Sequence, residues 1–152
     1  MHVSDKLVDF TAQSEGFSAT PYWDVDGYSI GYGHHSPEVV QGMQWTIAQA
    51  KLQLAVDLEA SETDINSAVK VALTQGQFDC LCDFRFNVGS GNFSSSTLLK
   101  ILNNGDYNGA RDQLYRVDDE GKPHGWIKAG DTVVPGLVNR RIGEQKFWDG
   151  KA

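Results

Sequence analysis

The residue types between Glu15 and His34 could carry acid–base chemistry. Glu15 and Asp24 are two carboxyl groups nine positions apart in unlike surroundings. Glu15 ends an apolar helical pattern beside Phe17, so we expect its carboxyl group to be desolvated and protonated, whereas Asp24 lies in a polar segment and should stay ionised. Such a pair suits glycoside hydrolysis, which needs an acid and a base or nucleophile. The hydroxyl of Ser29 could orient a water molecule beside Asp24.

Capping residues and apolar spacing predict the elements that position these side chains. Ser4, followed by apolar residues at helical spacing, predicts a first helix that ends at Glu15. Asp26-Gly27 lies between aromatic and β-branched residues and predicts a hairpin. We therefore expect a small antiparallel sheet between residues 17 and 34.

Later helices follow two capping boxes, which begin at Thr46 and Thr74. The first predicts a long helix over residues 46–68, and the second predicts an apolar helix that stops near Gly89. Shorter helices are predicted over 96–103 and 108–116, a loop or hairpin over 118–134, and a last helix from Pro135 to about Trp148. A mainly helical body with one small β element is an α+β arrangement, and we expect a single domain over residues 1–152.

The composition argues against several kinds of partner. Twenty acidic residues against 13 basic ones give a formal charge of −7, and phosphate binding needs a surplus of lysine and arginine. An anionic membrane surface is disfavoured for the same reason. The charge is uneven: residues 1–110 carry −8 and residues 111–152 carry +1. No apolar run reaches the roughly 18 residues that a membrane span needs, and the first ten residues lack the apolar core of a signal peptide.

The two cysteines do not form a recognisable metal or disulfide framework. Cys80 and Cys82 lie two positions apart with no second pair, so we expect small packed residues of a helix. The adjacent His34 and His35 do not have metal-ligand spacing. We expect His34 to make a structural hydrogen bond or ion pair. Gly31-Tyr32-Gly33 lacks the lysine and hydroxyl residue of a phosphate loop, so its glycines are expected to permit close backbone approach to a sugar or to the next lobe.

The order of the motifs resembles that of the phage-type lysozymes, the muramidase endolysins of glycoside hydrolase family 24. The resemblance covers nearly the whole chain. It rests on Glu15-Gly16, Tyr22, Asp24, Gly27, Ser29-Ile30-Gly31-Tyr32-Gly33-His34, Gln77-Phe78-Asp79, Phe86-Asn87-Val88-Gly89-Ser90-Gly91-Asn92-Phe93, Ser95-Ser96-Thr97-Leu98-Leu99, Leu102-Asn103, Gly105-Asp106-Tyr107, Trp126-Ile127-Lys128-Ala129-Gly130, Pro135-Gly136-Leu137-Val138, Arg140-Arg141 and Glu144.

This resemblance implies a lysozyme-like fold in which a long helix joins a small β-hairpin lobe to a helical lobe. It implies that Glu15 protonates the glycosidic oxygen of peptidoglycan, and that Asp24 activates water or stabilises positive charge on the sugar. Ser29 stands where the family has threonine. The implied substrate contacts are His35, Phe86 and Ser96, although core packing is an equal alternative for Phe86 and Thr97 competes with Ser96.

The resemblance also implies a monomer without metal or organic cofactor. Peptidoglycan is the implied partner, with no nucleic acid and no membrane insertion. An enzyme of this kind is expected to accumulate in the host cytoplasm and to reach the periplasm through a holin. One of the two arginines Arg140 and Arg141 is expected to pair with Glu15.

Two departures from the family pattern leave alternatives open. Ser29 follows Asp24 by five positions where the family threonine follows by six, which shortens the hairpin. The charged stretch over residues 118–124 reads as a surface loop. The alternatives are a catalytically impaired glycan-binding or virion domain, a lytic transglycosylase that needs Glu15 but not Asp24, and an antibacterial effector.

Overall fold

The computed structural model describes residues 1–152, which group into two compact units. The hairpin unit comprises residues 4–60, and the helical unit comprises residues 1–3 and 61–152. A long helix, α2 (Ile47–Ala68), contributes residues to both units. None of the helices is both long and apolar enough to cross a membrane. The expectation of a single domain over the whole chain stays a prediction.

The hairpin unit contains one helix, one small sheet and the first part of α2. Its elements before α2 are α1 (Asp5–Glu15), β1 (Ser18–Asp24), β2 (Gly27–Gly31) and β3 (His34–His35). The three strands are antiparallel in the order β1-β2-β3. The Ser4 hydroxyl accepts a hydrogen bond from the Leu7 backbone N–H at 3.3 Å, so α1 has the predicted N-cap. The buried residues of this unit include Leu7, Ile30, Val39, Leu54 and Leu58.

The hairpin turn lies one residue earlier than its dipeptide signal suggests. Asp24 pairs with Gly27, so Val25 and Asp26 are the two turn residues and Gly27 is the first residue of β2. Val25 has a φ of 47°, a backbone conformation that a β-branched residue rarely adopts. The predicted hairpin is confirmed. The predicted position of its turn is wrong, because the pairing between the strands, and not the turn dipeptide, sets the register.

Close approach explains a glycine at the end of β2. Gly31 has a φ of 67°, and a Cβ atom there would lie 3.0 Å from both Ala50 Cβ and the Trp45 ring. The chain can pass this close to α2 only without a side chain. Gly31 therefore permits close approach to residues of its own unit, and the expected approach to a sugar or to the other lobe stays a prediction.

The helical unit consists of the end of α2, five further helices and two small hairpins. After α2, its elements are α3 (Gln75–Val88), α4 (Ser90–Ser94), α5 (Thr97–Asn103), α6 (Tyr107–Leu114), β4 (Tyr115–Val117), β5 (Pro123–Gly125), β6 (Lys128–Ala129), β7 (Thr132–Val133) and α7 (Pro135–Trp148). The pairs β4-β5 and β6-β7 are antiparallel. The aromatic core includes Phe78, Phe84 and Phe93, all fully buried, and Phe147, which is 7% exposed.

Most helix ends agree with the capping signals. The Thr74 hydroxyl accepts from the Gln77 N–H at 3.2 Å, and the Gln77 side chain accepts from the Thr74 N–H at 2.9 Å. The helix predicted over 108–116 instead ends at Leu114, since Tyr115 pairs with Gly125 in the sheet. The short helix α4 was not predicted, because no side chain caps its start.

The first three residues pack with the helical unit rather than with the residues that follow them. The Val3 N–H donates to Glu62 Oε1 at 2.8 Å, and the His2 ring lies 2.9 Å from Glu62 Oε2. Residues 4–60 are therefore an insertion, in sequence, within the helical unit.

Candidate active site

The predicted partners Asp24 and Ser29 are in contact on the hairpin. The Ser29 hydroxyl donates to Asp24 Oδ2 at 3.3 Å. Ser29 stands opposite Tyr22 of β1, and Asp24 follows Tyr22 by two positions on the same strand. Because side chains of a strand alternate in direction, Asp24 and Ser29 project to the same face of the sheet. The expected hydroxyl beside Asp24 is therefore present despite the shorter hairpin.

His35 and Asp26 extend this contact into a four-residue polar cluster, which we call the hairpin cluster (Asp24, Asp26, Ser29 and His35). Ser29 Oγ lies 3.0 Å from His35 Nδ1, and His35 Nε2 lies 3.0 Å from Asp26 Oδ1. Ser29 is fully buried, whereas the Asp26 side chain is 82% exposed. The sequence identified Asp24, Ser29 and His35 separately but did not predict that His35 bonds to Ser29.

Glu15 ends α1 in the same unit, but not in the environment that was expected. Both Glu15 and Phe17 are exposed, and the Phe17 ring packs on Tyr32 at a centroid distance of 5.6 Å. The expectation of a carboxyl group desolvated by apolar neighbours is therefore wrong. A Cβ atom at Gly33 would lie 3.8 Å from Glu15 Oε2, so the carboxylate lies beside the turn that follows β2.

His34 has the structural role that was expected of it. Its Nδ1 atom lies 3.0 and 2.9 Å from the two carboxylate oxygens of Asp57. Gln53 donates to the same carboxylate at 3.0 Å. These contacts join β3 to the first part of α2 within the hairpin unit, and they hold the strand that carries His35.

The other two predicted substrate contacts belong to the helical unit. Phe86 lies near the end of α3 and is half-buried. Ser96 is 4% exposed, and its hydroxyl caps α5 by accepting from the Leu99 N–H at 3.1 Å and donating to the Phe93 carbonyl at 2.7 Å. Its competitor, Thr97, is exposed. The hydroxyl available at this place is therefore that of Thr97.

The two arginines of α7 have partners inside the helical unit. Arg140 bonds to Asp83 with two nitrogens at 2.9 Å, and Arg141 bonds to Glu144 at 2.7 Å and to Asn87 at 2.8 Å. Burial raises the pKa of the Glu144 carboxyl well above its ordinary value, against the opposing effect of Arg141. The expected pair of an arginine with Glu15 stays a prediction.

The two cysteines are free and buried in α3, as expected. Burial raises the pKa of the Cys80 thiol, and it does the same for Cys82. Both side chains are thus poor nucleophiles. No cluster of three or more histidine, cysteine, aspartate or glutamate side chains could hold a metal ion.

The sequence of this chain matches a known protein family. Residues 12–144 match the family model described as phage lysozyme. The endolysin of Acyrthosiphon pisum secondary endosymbiont phage 1 is 35% identical over 155 residues, which cover 98% of this chain and 99% of that protein. The endolysin of Bacillus phage PZA is 37% identical over 152 residues and 98% of this chain, but the match spans 55% of that protein's length.

Solved structures share the fold. A crystal structure of a P22 lysozyme mutant is 32% identical with a TM-score of 0.80, and the match covers 97% of this chain and 98% of that one. The muramidase domain of SpmX from Asticaccaulis excentricus matches with the same TM-score and coverage at 28% identity. The α+β, lysozyme-like fold expected from the sequence is confirmed.

Proposed function

The chain belongs to the phage lysozyme family, and we propose that it is an endolysin that lyses peptidoglycan as a muramidase. It is a glycoside hydrolase that cleaves the β-1,4 bond between N-acetylmuramic acid and N-acetylglucosamine. The observation that carries this proposal is the contact of Ser29 with Asp24, in a unit that also presents the exposed carboxyl group of Glu15.

The two carboxyl groups divide the reaction between them. Glu15 donates a proton to the glycosidic oxygen as the bond to the anomeric carbon breaks. Water forms the new bond to that carbon and gives its proton to the Asp24 carboxylate. The buried Ser29 hydroxyl donates to Asp24 and so holds the carboxylate that takes this proton.

The proposed sugar contacts lie on α3 and at the start of α5. Phe86 on α3 remains a proposed contact, whereas His35 on β3 is not assigned one, because both of its ring nitrogen atoms bond within the hairpin cluster. At the start of α5, we assign the contact to the exposed Thr97 in place of Ser96, because the buried hydroxyl of Ser96 is fully engaged as a helix cap.

Substitution of the two carboxyl groups tests the proposal on purified peptidoglycan. Glu15→Gln and Asp24→Asn should each lower the release of reducing ends by at least about 100-fold, because each removes a proton-transfer group. Both variants should still bind the polymer. Glu38→Gln makes the same chemical change at another exposed carboxyl group of the hairpin unit and should keep the wild-type rate.

Product analysis separates the proposal from its rivals. Mass spectrometry should find hydrolysed, reducing muramic acid ends. Products with a 1,6-anhydro ring would show a lytic transglycosylase instead. Binding of peptidoglycan by the wild type with no turnover between pH 4 and pH 9 would show a glycan-binding domain.

We extend the proposal to partners and location on the basis of the family resemblance. The protein acts as a monomer, binds no nucleic acid, and reaches the cell wall from the host cytoplasm through a holin. Expression in a Gram-negative host with and without a holin tests the route. Lysis should require the holin, and lysis in its absence would contradict this part of the proposal.

A further inference from the structure

The His35 ring is held at both of its nitrogen atoms. Nδ1 faces the Ser29 hydroxyl at 3.0 Å and Nε2 faces an Asp26 carboxylate oxygen at 3.0 Å. Ser29 and His35 stand directly opposite each other in the β2-β3 register. The ring therefore has a fixed orientation, with its two polar atoms directed at protein groups rather than at solvent.

A glycine makes room for this ring. A Cβ atom at Gly27 would lie 3.2 Å from both Cε1 and Nε2 of His35, closer than a side chain normally packs. The His35 ring thus lies across β2, above the residue that pairs with Asp24. This absence of a side chain lets one imidazole reach the turn at Asp26 and the buried Ser29 at the same time.

The number of hydrogens in the hairpin cluster decides where the Ser29 hydroxyl points. A hydroxyl group has one hydrogen to donate, and a neutral imidazole has one N–H. The Asp26 carboxylate accepts only, so it favours that N–H on Nε2. Nδ1 then carries a lone pair and competes with Asp24 for the Ser29 hydrogen. When His35 is doubly protonated, Nδ1 donates to Ser29 Oγ, and the Ser29 hydrogen is left for Asp24.

We infer that His35 is a positioning residue that acts on Asp24 through Ser29. Its protonated ring directs the Ser29 hydroxyl hydrogen to Asp24, which holds this carboxylate in place. The inference rests on the proposed roles of Asp24 and Ser29. It adds to the hydrolase a group that touches neither the sugar nor the attacking water.

Acidic groups lie close to both nitrogen atoms of the His35 ring. Asp26 lies at Nε2, and Asp24 is one hydroxyl group away from Nδ1. The phenol of Tyr28 lines the same cavity of about 480 Å³ as His35 and Asp26, and Tyr22 stands opposite Ser29 on β1. No cationic side chain contributes to the lining of this cavity. Because the inferred contacts need an N–H on both ring nitrogen atoms, activity should fall on the alkaline side, where an imidazole carries only one.

Two substitutions of His35 test the inference with kcat, KM and the pH profile as readouts. His35→Ala removes the donor and should lower kcat about tenfold with little change in KM. His35→Asn places an amide near the position of Nδ1 and can donate to Ser29 at every pH. It should therefore restore most of kcat and remove the alkaline fall. A similar histidine–aspartate contact in the helical unit, His124 with Asp118 at 2.8 Å, provides the control His124→Ala, which should match the wild type.

The possible results of these measurements distinguish a failure of this inference from a failure of the proposed function. If the wild type turns over peptidoglycan and His35→Ala has an unchanged kcat, the inference is overturned while the muramidase stands. A rise in KM at constant kcat would also overturn it, because it would make His35 a sugar contact alone. If the wild type has no turnover at all, the proposed function fails first. If His35→Ala does not fold, the pH profile of His35→Asn decides: an alkaline fall unchanged from wild type overturns the inference.

Gly27 offers an independent check. Gly27→Ala should displace the His35 ring, since the added methyl group would lie 3.2 Å from it, and should lower kcat severalfold. Combined with His35→Ala, the same change should add little, because both act through one contact. Full additivity of the two losses would contradict an action through His35.

Discussion

Asp64 is the residue at which three helices of the helical unit meet. It lies on α2 and accepts hydrogen bonds from Arg85 Nε on α3 at 2.6 Å and from the Ser90 hydroxyl at the start of α4 at 2.7 Å. The Ser90 hydroxyl and then the Arg85 guanidinium lower the pKa of Asp64 below its ordinary value. The carboxylate form is thus the one that the folded state stabilises.

Asp64→Asn should lower the free energy of unfolding at pH 7 by about 1–2 kcal/mol, because hydrogen bonds to a charged acceptor are stronger than neutral ones. A carboxyl group whose pKa is lower in the folded state stabilises the fold above the unfolded-state value, and this contribution is lost as the pH falls through the folded-state value. The difference between variant and wild type should therefore shrink below pH 4.

Urea unfolding at several pH values measures this difference. Asp131→Asn, at an exposed position in the turn between β6 and β7, is the matched control and should leave stability nearly unchanged. A gap between Asp64→Asn and the wild type that is constant from pH 7 to pH 3 would show that shape, not charge, matters at Asp64.

At the scale of elements, helices α3 and α7 approach each other at a glycine. A Cβ atom at Gly76 would lie 2.0 Å from the Phe147 carbonyl oxygen, so the backbones could not keep this spacing with any side chain there. Gly136, at the start of α7, has nothing within 4 Å of its Cβ position. Both glycines lie at the start of a helix, but only Gly76 lies against the backbone of another helix.

Alanine at the two positions should therefore have opposite effects. Gly76→Ala should destabilise the protein by about 1–3 kcal/mol, since overpacking outweighs the better helix propensity of alanine. Gly136→Ala should be neutral or stabilise it by up to about 1 kcal/mol. Thermal unfolding of both variants measures the contrast, and equal shifts in Tm would show that α3 and α7 can separate at little cost.

The elements with local signals were predictable from the sequence, and those decided by long-range pairing were not. Side-chain caps at Ser4, Thr46 and Thr74 mark helix starts wherever they occur, because capping depends on residues only three apart. The five-residue helix α4 has no such cap. The turn at Val25 was also missed, since Asp26-Gly27 is a favoured turn pair and only strand register excludes it here.

The contacts of the candidate site show the same difference between local signals and long-range pairing. Asp24 and Ser29 belong to one hairpin, so their contact follows from local sequence. The bond from Ser29 to His35 requires the register of β3 against β2, which no short motif specifies. The exposure of Glu15 depends on how the chain folds around the end of α1, and the apolar residues beside it in sequence gave the wrong expectation.

On the scale of the whole molecule, the negative charge is concentrated in one unit. The hairpin unit, residues 4–60, carries eight acidic and two basic residues, whereas the helical unit carries twelve acidic and eleven basic ones. The unit with the proposed catalytic carboxyl groups thus has a charge of −6. Peptidoglycan is itself anionic, so long-range electrostatics should not attract it.

The rate of peptidoglycan hydrolysis should therefore hold or rise as salt increases from about 10 to 100 mM. Over this range the screening length falls from about 30 to 10 Å, which weakens the repulsion between like charges. Initial rates of turbidity loss at constant pH measure the effect. A steep fall in rate with added salt would contradict the prediction and would indicate a basic binding surface.

The contact of Val3 with Glu62 closes a loop in the chain that contains residues 4–60. The entropy cost of closing a loop grows only with the logarithm of its length, so changing its 57 residues by one alters the cost by about 0.02 kcal/mol. Gains and losses of single residues in the hairpin are therefore almost without effect on the closure that the helical unit makes through Val3. The hairpin that carries the proposed catalytic residues can therefore gain or lose a residue without weakening this closure.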